Sequence, residues 1–229
     1  MSTDLASKYD AFYRARQSAH VYPVEFVVRA FLGTYPRLKP DTKLYPGRRV
    51  LDLGFGDGRN MPLLSNLGME VHGVEISDEI CNAGAARLAA LGHQVVTRVG
   101  RNHQIPYDNA FFDHVLACHA CYYVDPGTRF SDNIAEIARV LRSSGRFVFS
   151  APCADSYIMN GAVDLGDGHM QITQDPYGVR NGTIMRTFDS AAEIAAAIAP
   201  HFTEARIGAA RNDWWGIEER VWIVVCERK

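Results

Sequence analysis

The sequence predicts an α/β domain with a mainly parallel β-sheet and helices on both of its faces. Two observations predict this fold: strand-like and helix-like apolar segments alternate from residue 49 onward, and a glycine-rich turn follows the first strand. The chain of 229 residues is 47% hydrophobic, which is enough to bury one substantial core. We therefore expect a single domain over residues 1–229.

The alternating segments follow one another with recognisable boundaries. In chain order they are strand 49–53, helix 59–67, strand 70–75, helix 78–91, strand 94–99, strand 111–117, helix 131–141 and strand 145–151. Ser77 can cap the helix that has Asp78 and Glu79 in its first turn, and Gly92 can end it. Alternation of this kind predicts parallel strands joined by helical crossovers.

Further elements flank this series. Residues 24–32 have helical spacing behind Pro23, so a helix precedes the first strand. Ser190 and Glu193 form a capping-box pattern, and Pro200 ends that helix. The apolar runs HFTEARIG and VWIVVCERK then predict a terminal antiparallel hairpin at the sheet edge.

More than thirty glycine-rich residues separate the strand near Ala151 from the helix near Ser190. An irregular connection longer than about 15 residues is typically a lid, a binding loop or a small subdomain. We expect this insertion, at about residues 152–188, to lie over the active site and to contain a hairpin at Asn181-Gly182. A helical cap at about residues 1–45 is expected on the N-terminal side.

Composition and charge exclude several classes of function. Lys and Arg (24) nearly balance Asp and Glu (26), so we expect no binding of nucleic acid. The chain has neither a signal-peptide core nor a run of about 18 apolar residues, which predicts a cytoplasmic protein without membrane contact. Five cysteines do not form a secreted disulfide framework. Cys118-x-x-Cys121 lacks the second pair that a zinc site needs, so no metal is expected.

The turn VLDLGFGDGRN indicates a nucleoside ligand. A dinucleotide-binding G-x-G-x-x-G motif counted from Gly54 requires a glycine where this chain has Arg59, so a nicotinamide cofactor is disfavoured. Glu75 ends the following strand, where a carboxylate can accept hydrogen bonds from a ribose diol. Glycines let the backbone pass close beneath a ligand, and here they follow the pattern D-x-G-x-G-x-G of Asp52, Gly54, Gly56 and Gly58.

This combination resembles the class I S-adenosylmethionine-dependent methyltransferases, over nearly the whole chain from about residue 48. LDLGFGDG is similar to their E/D-x-G-x-G-x-G motif, IPYDNAFFDHVLACHA to their L-P-F-x-x-x-x-F-D-x-V stretch, and EIARVLRSSGRFVFSAP to their L-K-P-G-G-x-L region. The resemblance implies a doubly wound sheet of seven strands whose last strand is antiparallel. It also implies S-adenosyl-L-methionine as cofactor and S-adenosyl-L-homocysteine as product.

The resemblance further implies which residues hold the cofactor. The glycine motif would lie against its amino-acid part and Glu75 would bind its ribose. Many relatives have an aspartate after the third strand that contacts the adenine amino group, whereas this chain reads Gly100-Arg101-Asn102, so Asn102 or a backbone group would replace that contact. The predicted cofactor-binding residues are Asp52, Gly54, Gly56, Gly58, Asn60, Glu75, Ile76, Asn102, Cys118 and Tyr13.

Ligands of open α/β sheets lie outside the carboxyl ends of the strands, so CHACYYVD should face the reactive methyl group. A general base is needed only if the acceptor must lose a proton. His119 is the first candidate and His169, in the insertion, the second; each could instead be a hydrogen-bonded structural histidine. The predicted acceptor-site residues are Tyr122, Tyr123, Asp167, which would orient His169 or simply stabilise a glycine turn, and Tyr9, which could instead be a core anchor.

The sequence thus predicts a methyltransferase acting on an O or N atom of a small polar metabolite, as a monomer or homodimer. One alternative is methylation of a bacterial surface-sugar or capsule precursor, including phosphate- or phosphoramidate-type acceptors, from a faint likeness of DLGDGHMQITQDPYGVRNG to such enzymes. A second is a non-catalytic S-adenosylmethionine-binding protein, favoured by Arg101 in place of the usual aspartate. A third, a nicotinamide-dependent oxidoreductase, is disfavoured by the missing glycine.

Overall fold

The computed structural model describes residues 2–15 and 21–229. The α-helices of this part of the chain are α1 (Ser2–Ala15), α2 (Glu25–Leu32), α3 (Met61–Asn66), α4 (Asp78–Ala90), α5 (Phe130–Val140) and α6 (Ala191–Ile198). Its strands are β1 (Arg49–Leu53), β2 (Glu70–Glu75), β3 (Val95–Val99), β4 (Phe112–Ala117), β5 (Tyr123–Val124), β6 (Leu141–Pro152), β7 (Val163–Asp164), β8 (His169–Gln171), β9 (Ile184–Arg186), β10 (Phe202–Asp213) and β11 (Glu218–Arg228).

The main sheet has seven strands in the order β10-β11-β6-β4-β1-β2-β3. Strands β1, β2, β3, β4 and β6 pair in parallel, while β11 runs antiparallel to both of its neighbours. The predicted seven-stranded, mostly parallel sheet with an antiparallel last strand is confirmed. It places the carboxyl ends of β1, β2 and β4 side by side, where a ligand can meet all three.

Two hydrophobic clusters cover the two faces of this sheet. Neighbouring residues of β4 point to opposite faces, so Val115 packs into one cluster and Leu116 into the other. Helices α5 and α6 contribute to the first cluster, for example through Ile134 and Ile194, whereas α2, α3 and α4 contribute to the second. Helices on both faces are the doubly wound arrangement that the alternating pattern predicts.

The helix-capping residues predicted from the sequence form hydrogen bonds in the structure. Ser77 Oγ accepts from the backbone N–H of Ile80 (3.2 Å) and so caps α4. Ser190 Oγ accepts from Glu193 N–H (3.2 Å) at the start of α6, but the Glu193 carboxylate accepts from Asp189 N–H, one residue before the expected position. Both helix starts are therefore set by local side chains.

Three short strands of the insertion and β5, from the segment after β4, form a second sheet in the order β5-β9-β8-β7. Strands β8 and β9 form a hairpin, but Asn181-Gly182 is not its two-residue turn. Next to these strands, the backbone N–H of Ile172 donates to Thr183 O, and the N–H of Gly182 donates to Ile172 O. The loop that closes the hairpin is therefore longer than two residues. That loop forms around the buried Asp175, whose backbone N–H donates to Asn181 Oδ1 (2.8 Å).

The predicted N-terminal cap contains α1, α2 and a short 3₁₀ turn at Thr42–Leu44, and its residues 16–20 lie outside the described part of the chain. Within residues 2–15 and 21–229, no helix combines the length and the hydropathy needed to cross a membrane.

Candidate active site

A cavity of about 610 Å³ lies at the carboxyl ends of β1, β2 and β4. The turn after β1, the end of β2, and segments 100–102 and 118–126 form its floor and one side. Helix α1 and the insertion form the rest of the wall, together with the start of β11. This volume is in the range of small-molecule sites, so one cavity can hold a nucleoside and a small second ligand.

The glycine turn brings backbone to the cavity surface. Gly54 lines the cavity with a φ of +68°, and its N–H donates to Val74 O (2.8 Å). A Cβ at this position would lie 2.5 Å from Ala120 Cβ, so the turn after β1 and the segment after β4 approach as closely as backbone permits. Gly56 and Gly58 lie outside the lining and shape the turn, Gly56 against the Tyr13 ring and Gly58 against Leu88 of α4.

Glu75 places a carboxylate in this cavity. Its Oε1 accepts from the N–H of Gly56 and its Oε2 from the N–H of Ile76, both at 2.8 Å. Burial raises the pKa of Glu75 and these two backbone hydrogen bonds lower it, with a net increase. Each oxygen keeps a lone pair, so the orientation of the carboxylate is fixed while it can still accept from a ribose diol.

Asp52, a predicted cofactor residue, lies beneath the turn and not in the cavity lining. Its side chain is fully buried, and no described residue donates a hydrogen bond to either carboxyl oxygen. Burial, and then the charges of Glu75 and Asp57, raise the pKa of Asp52 well above its usual value. A protonated carboxyl is the form in which such a site tolerates an acidic side chain.

Asn102 occupies the position of the expected adenine contact. Its Nδ2 donates to Ala120 O (2.9 Å) and Tyr123 O (3.0 Å), which uses both amide hydrogens. An acceptor, Oδ1, is what remains for a ligand amino group. The neighbouring Arg101 donates to Asp125 Oδ1 (2.8 Å), so its positive charge is offset and does not oppose ligand binding at this end.

His119 lines the cavity directly after β4 in a left-handed backbone conformation, with a φ of +56°. Its N–H donates to Ser150 Oγ (2.9 Å), and its Nδ1 lies 3.3 Å from the same oxygen. Burial lowers the pKa of His119, so the imidazole is neutral at neutral pH. In the tautomer in which Nδ1 donates to Ser150, Nε2 can accept a proton. Unusual φ angles of non-glycine residues concentrate at functional sites.

Aromatic side chains surround the remainder of the cavity. Tyr9 of α1 donates its hydroxyl hydrogen to Tyr123 Oη (2.9 Å), and the rings of Tyr122 and Tyr123 stack with centroids 4.9 Å apart. The other predicted residues of the lining are Tyr13, Asn60, Ile76 and Cys118. The structure thus brings most of the predicted residues into one cavity.

Two of the predicted catalytic and acceptor-site residues lie elsewhere. His169 is in β8, where its Nε2 is 3.5 Å from the N–H of Phe130, and it does not line the cavity. The Asp167 side chain is 71% exposed and 3.8 Å from Arg129. The insertion pairs with β5 in a separate small sheet, and the β7–β8 turn extends toward the start of α5 rather than over His119. The geometry therefore leaves His119 as the base candidate.

Several lining residues belong to no pattern in the sequence. Tyr157 and Arg180 come from the insertion and Glu219 from β11. Arg59 lies next to the glycine turn and forms a bidentate pair with Asp57 (2.9 and 2.6 Å).

Within the described residues, His, Cys, Asp and Glu side chains form no cluster suited to a metal ion.

Comparison with known proteins agrees with this geometry. Residues 51–149 match the family model described as a methyltransferase domain. An uncharacterized methyltransferase of Mycobacterium tuberculosis strain H37Rv is 35% identical over 126 residues, which cover 50% of this chain and 47% of that protein. A protein-L-isoaspartate O-methyltransferase of Methylorubrum populi is 33% identical over 130 residues, 50% of this chain and 61% of its own.

Structural comparison extends the likeness in fold to the whole chain. The crystal structure of Burkholderia thailandensis 1,6-didemethyltoxoflavin-N1-methyltransferase, with bound 1,6-didemethyltoxoflavin and S-adenosylhomocysteine, has a TM-score of 0.67 and 18% identity. That comparison covers 100% of this chain and 87% of the other. The sequence matches span about half the length of the mycobacterial relative. The resemblance predicted from the sequence motifs is confirmed.

Proposed function

We propose that this chain, whose residues 51–149 match a methyltransferase domain, uses S-adenosylmethionine to transfer a methyl group to an O or N atom of a small polar metabolite. The observation that carries the proposal is that one cavity contains both the Glu75 carboxylate and the His119 imidazole. A nucleoside held at Glu75 and an acceptor near His119 would share this cavity.

The residues present fit S-adenosylmethionine. Gly54 supplies a surface on which a Cβ would collide with Ala120, Glu75 has the free lone pairs that a ribose diol needs, and Asn102 has an acceptor for an amino group. We propose these residues, with Tyr13, Asn60, Ile76 and Cys118, as the cofactor site. When bound, the cofactor supplies an electrophilic methyl group on a cationic sulfur.

The chain's own contribution would be positioning and proton transfer. The tyrosine rings offer π faces that suit a cation, and α1 and the insertion form part of the cavity wall around them. The neutral His119 would remove a proton from an acceptor hydroxyl or amine. A cavity of about 610 Å³ to be shared by cofactor and acceptor supports a small-molecule acceptor rather than a protein or nucleic acid. From the amino-acid composition, we also propose that the enzyme is cytoplasmic.

Calorimetric titration with S-adenosylmethionine, S-adenosylhomocysteine and NADH in parallel tests the cofactor. We expect binding of both sulfur nucleosides in the micromolar range and no heat with NADH. Incubation with S-adenosylmethionine and a panel of polar sugars and phosphorylated metabolites then tests turnover, measured as release of S-adenosylhomocysteine. Binding without release from any acceptor would support the non-catalytic binding protein instead, and binding of NADH alone would support the oxidoreductase.

A further inference from the structure

Three arginines line the cavity, and their pairing differs. Arg59 is bound by Asp57 through two hydrogen bonds, and Arg101 is bound by Asp125 at 2.8 Å. Among the described residues, the guanidinium of Arg180 donates one hydrogen bond, from Nη1 to Tyr157 Oη (2.9 Å). A guanidinium has five N–H donors, so most of the donors of Arg180 remain for another partner.

The nearest carboxylate to Arg180 does not satisfy it. Asp175 Oδ2 lies 3.8 Å from Arg180 Nε, which is beyond hydrogen-bond distance. The Asp175 side chain is fully buried, and its oxygens already accept the backbone N–H groups of Tyr177, Val179 and Arg180. Asp175 therefore shapes the loop that carries Arg180 and leaves the guanidinium donors unused.

The surroundings of Arg180 shield most of its side chain from solvent. Its side chain is 21% exposed, and its guanidinium carbon lies 5.6 Å from the centre of the Tyr177 ring. Arg180 is close enough to His119 to help lower the pKa of that imidazole, after burial, while Glu219 acts in the opposite direction. A shielded cation with free planar donors is suited to bidentate recognition of an oxyanion.

We propose that Arg180 and Tyr157 form an anion subsite, and that the methyl acceptor is a small molecule with a carboxylate or phosphate group bound there. The inference rests on the proposed function, since it assigns the ligand class of the same active site. Arg180 would hold the anionic end of the acceptor, while His119 meets the atom that receives the methyl group. Arg180 is thus a specificity-determining residue.

The test uses the protein saturated with S-adenosylhomocysteine, titrated by calorimetry with benzoate, phenyl phosphate and the uncharged benzamide. The variants are Arg180→Gln, Arg180→Lys and the control Arg37→Gln, which removes an exposed arginine from a loop outside the cavity. We expect at least one anion to bind wild type about tenfold or more tighter than benzamide, as a charged hydrogen-bond pair predicts. Arg180→Gln should abolish this preference, Arg180→Lys should keep part of it, and Arg37→Gln should keep all of it.

Comparison of benzoate with phenyl phosphate distinguishes a carboxylate acceptor from a phosphate acceptor. Equal affinity for anions and benzamide in wild type, no saturable anion binding, or a preference that persists in Arg180→Gln would overturn the proposal. The wild-type comparison needs no variant, so misfolding of Arg180→Gln would leave the test intact.

Affinity for S-adenosylhomocysteine is measured separately in every variant. It should be unchanged in Arg180→Gln, and a tenfold loss would overturn the proposal by showing that the guanidinium binds the cofactor's own carboxylate. Failure of wild type to bind S-adenosylhomocysteine would instead contradict the proposed function.

Discussion

The two ends of the cavity are formed in different ways. At the Glu75 end, Gly54, Asn60 and Glu75 come from one continuous stretch of chain, β1 to β2, and backbone N–H groups hold the Glu75 carboxylate. At the His119 end, the wall combines α1, the segment after β4, the insertion and β11. There the side chains hold one another, as Tyr9 holds Tyr123 and Tyr157 holds Arg180.

This difference separates what the fold requires from what can vary. A carboxylate oriented by backbone amides depends on the path of the main chain, which every parallel sheet of this type repeats. A wall of side chains from distant segments can change residue by residue without changing the sheet. We therefore expect the Glu75 end to be sensitive to small changes of backbone and charge, and the His119 end to determine which acceptor is used.

The largest expected effect is on turnover at the His119 end. His119→Gln should reduce the methylation rate by roughly 10²- to 10⁴-fold for acceptors that must lose a proton, without changing affinity for S-adenosylhomocysteine. Burial lowers the pKa of His119 below its ordinary value of 6.5, so wild-type activity should rise as pH increases toward 6.5 and be constant above neutrality. The variant should lose this pH dependence.

Rates of S-adenosylhomocysteine release between pH 5 and 9 check this prediction. His93→Gln is the matched control, because His93 lies outside the cavity with its Nδ1 3.1 Å from Ser65 Oγ. A His119→Gln variant with the wild-type rate and pH profile would remove the base from the proposed mechanism.

The next effect is on cofactor affinity at the Glu75 end. In Glu75→Gln, an NH₂ group replaces one carboxylate oxygen and cannot accept the hydrogen bond from the N–H of Gly56 or of Ile76. The substitution also removes the negative charge to which the ribose hydroxyls would donate. Affinity for S-adenosylhomocysteine should fall about 10- to 100-fold by calorimetry. Glu70→Gln, at the exposed start of the same strand, should bind normally. Unchanged affinity in a folded Glu75→Gln protein would refute the ribose assignment.

Alanine substitutions at two glycines then distinguish the cost of backbone strain from the cost of a steric collision. Gly54 and Gly47 have similar φ angles, +68° and +75°, but a Cβ at Gly47 would meet no atom within 4 Å. Both substitutions by alanine share the strain of a left-handed residue, about 1 kcal/mol. Gly54→Ala also collides with Ala120, so urea unfolding should show a free energy lower by a further 1–3 kcal/mol or so. Equal losses in the two variants would mean that this close approach is relieved without cost.

The smallest effect is expected for a single hydrogen bond in the side-chain wall. Tyr9→Phe removes the donor to Tyr123 and should lower the free energy of unfolding by about 1 kcal/mol in urea. Acceptor affinity should fall a few-fold, while the exposed Tyr22→Phe should change neither quantity. A loss of cofactor affinity as large as that of Glu75→Gln would contradict the separation of the two ends.

The same contrast explains how much could be predicted from the sequence. Strand periodicity and the glycine motif located β1 and β2 with their observed bounds and identified Glu75, because these signals are local. Arg180, Tyr157 and Glu219 carry no such signal, since they reach the cavity only through the packing of the insertion and β11.

His169 and Asp167 illustrate the converse error. Both were predicted at the site because they occur in a glycine-rich segment expected to cover it. A glycine-rich turn does not determine its own direction, and pairing of β8 with β7 and β9 takes it away from the cavity.

The position of β11 has a consequence for how the protein is made. This strand lies between β6 and β10 in space, although β10 precedes it in the chain, and its residues Val221 to Glu227 pair with Pro152 to Arg146. During synthesis, the edge of β6 that pairs with β11 has no permanent partner until residues 218–228 have left the ribosome. Glu219 and Val221 of the same strand line the cavity, so the active site is completed in the same late step. A nascent chain stalled before this point would expose a strand edge to aggregation and lack one wall of its site.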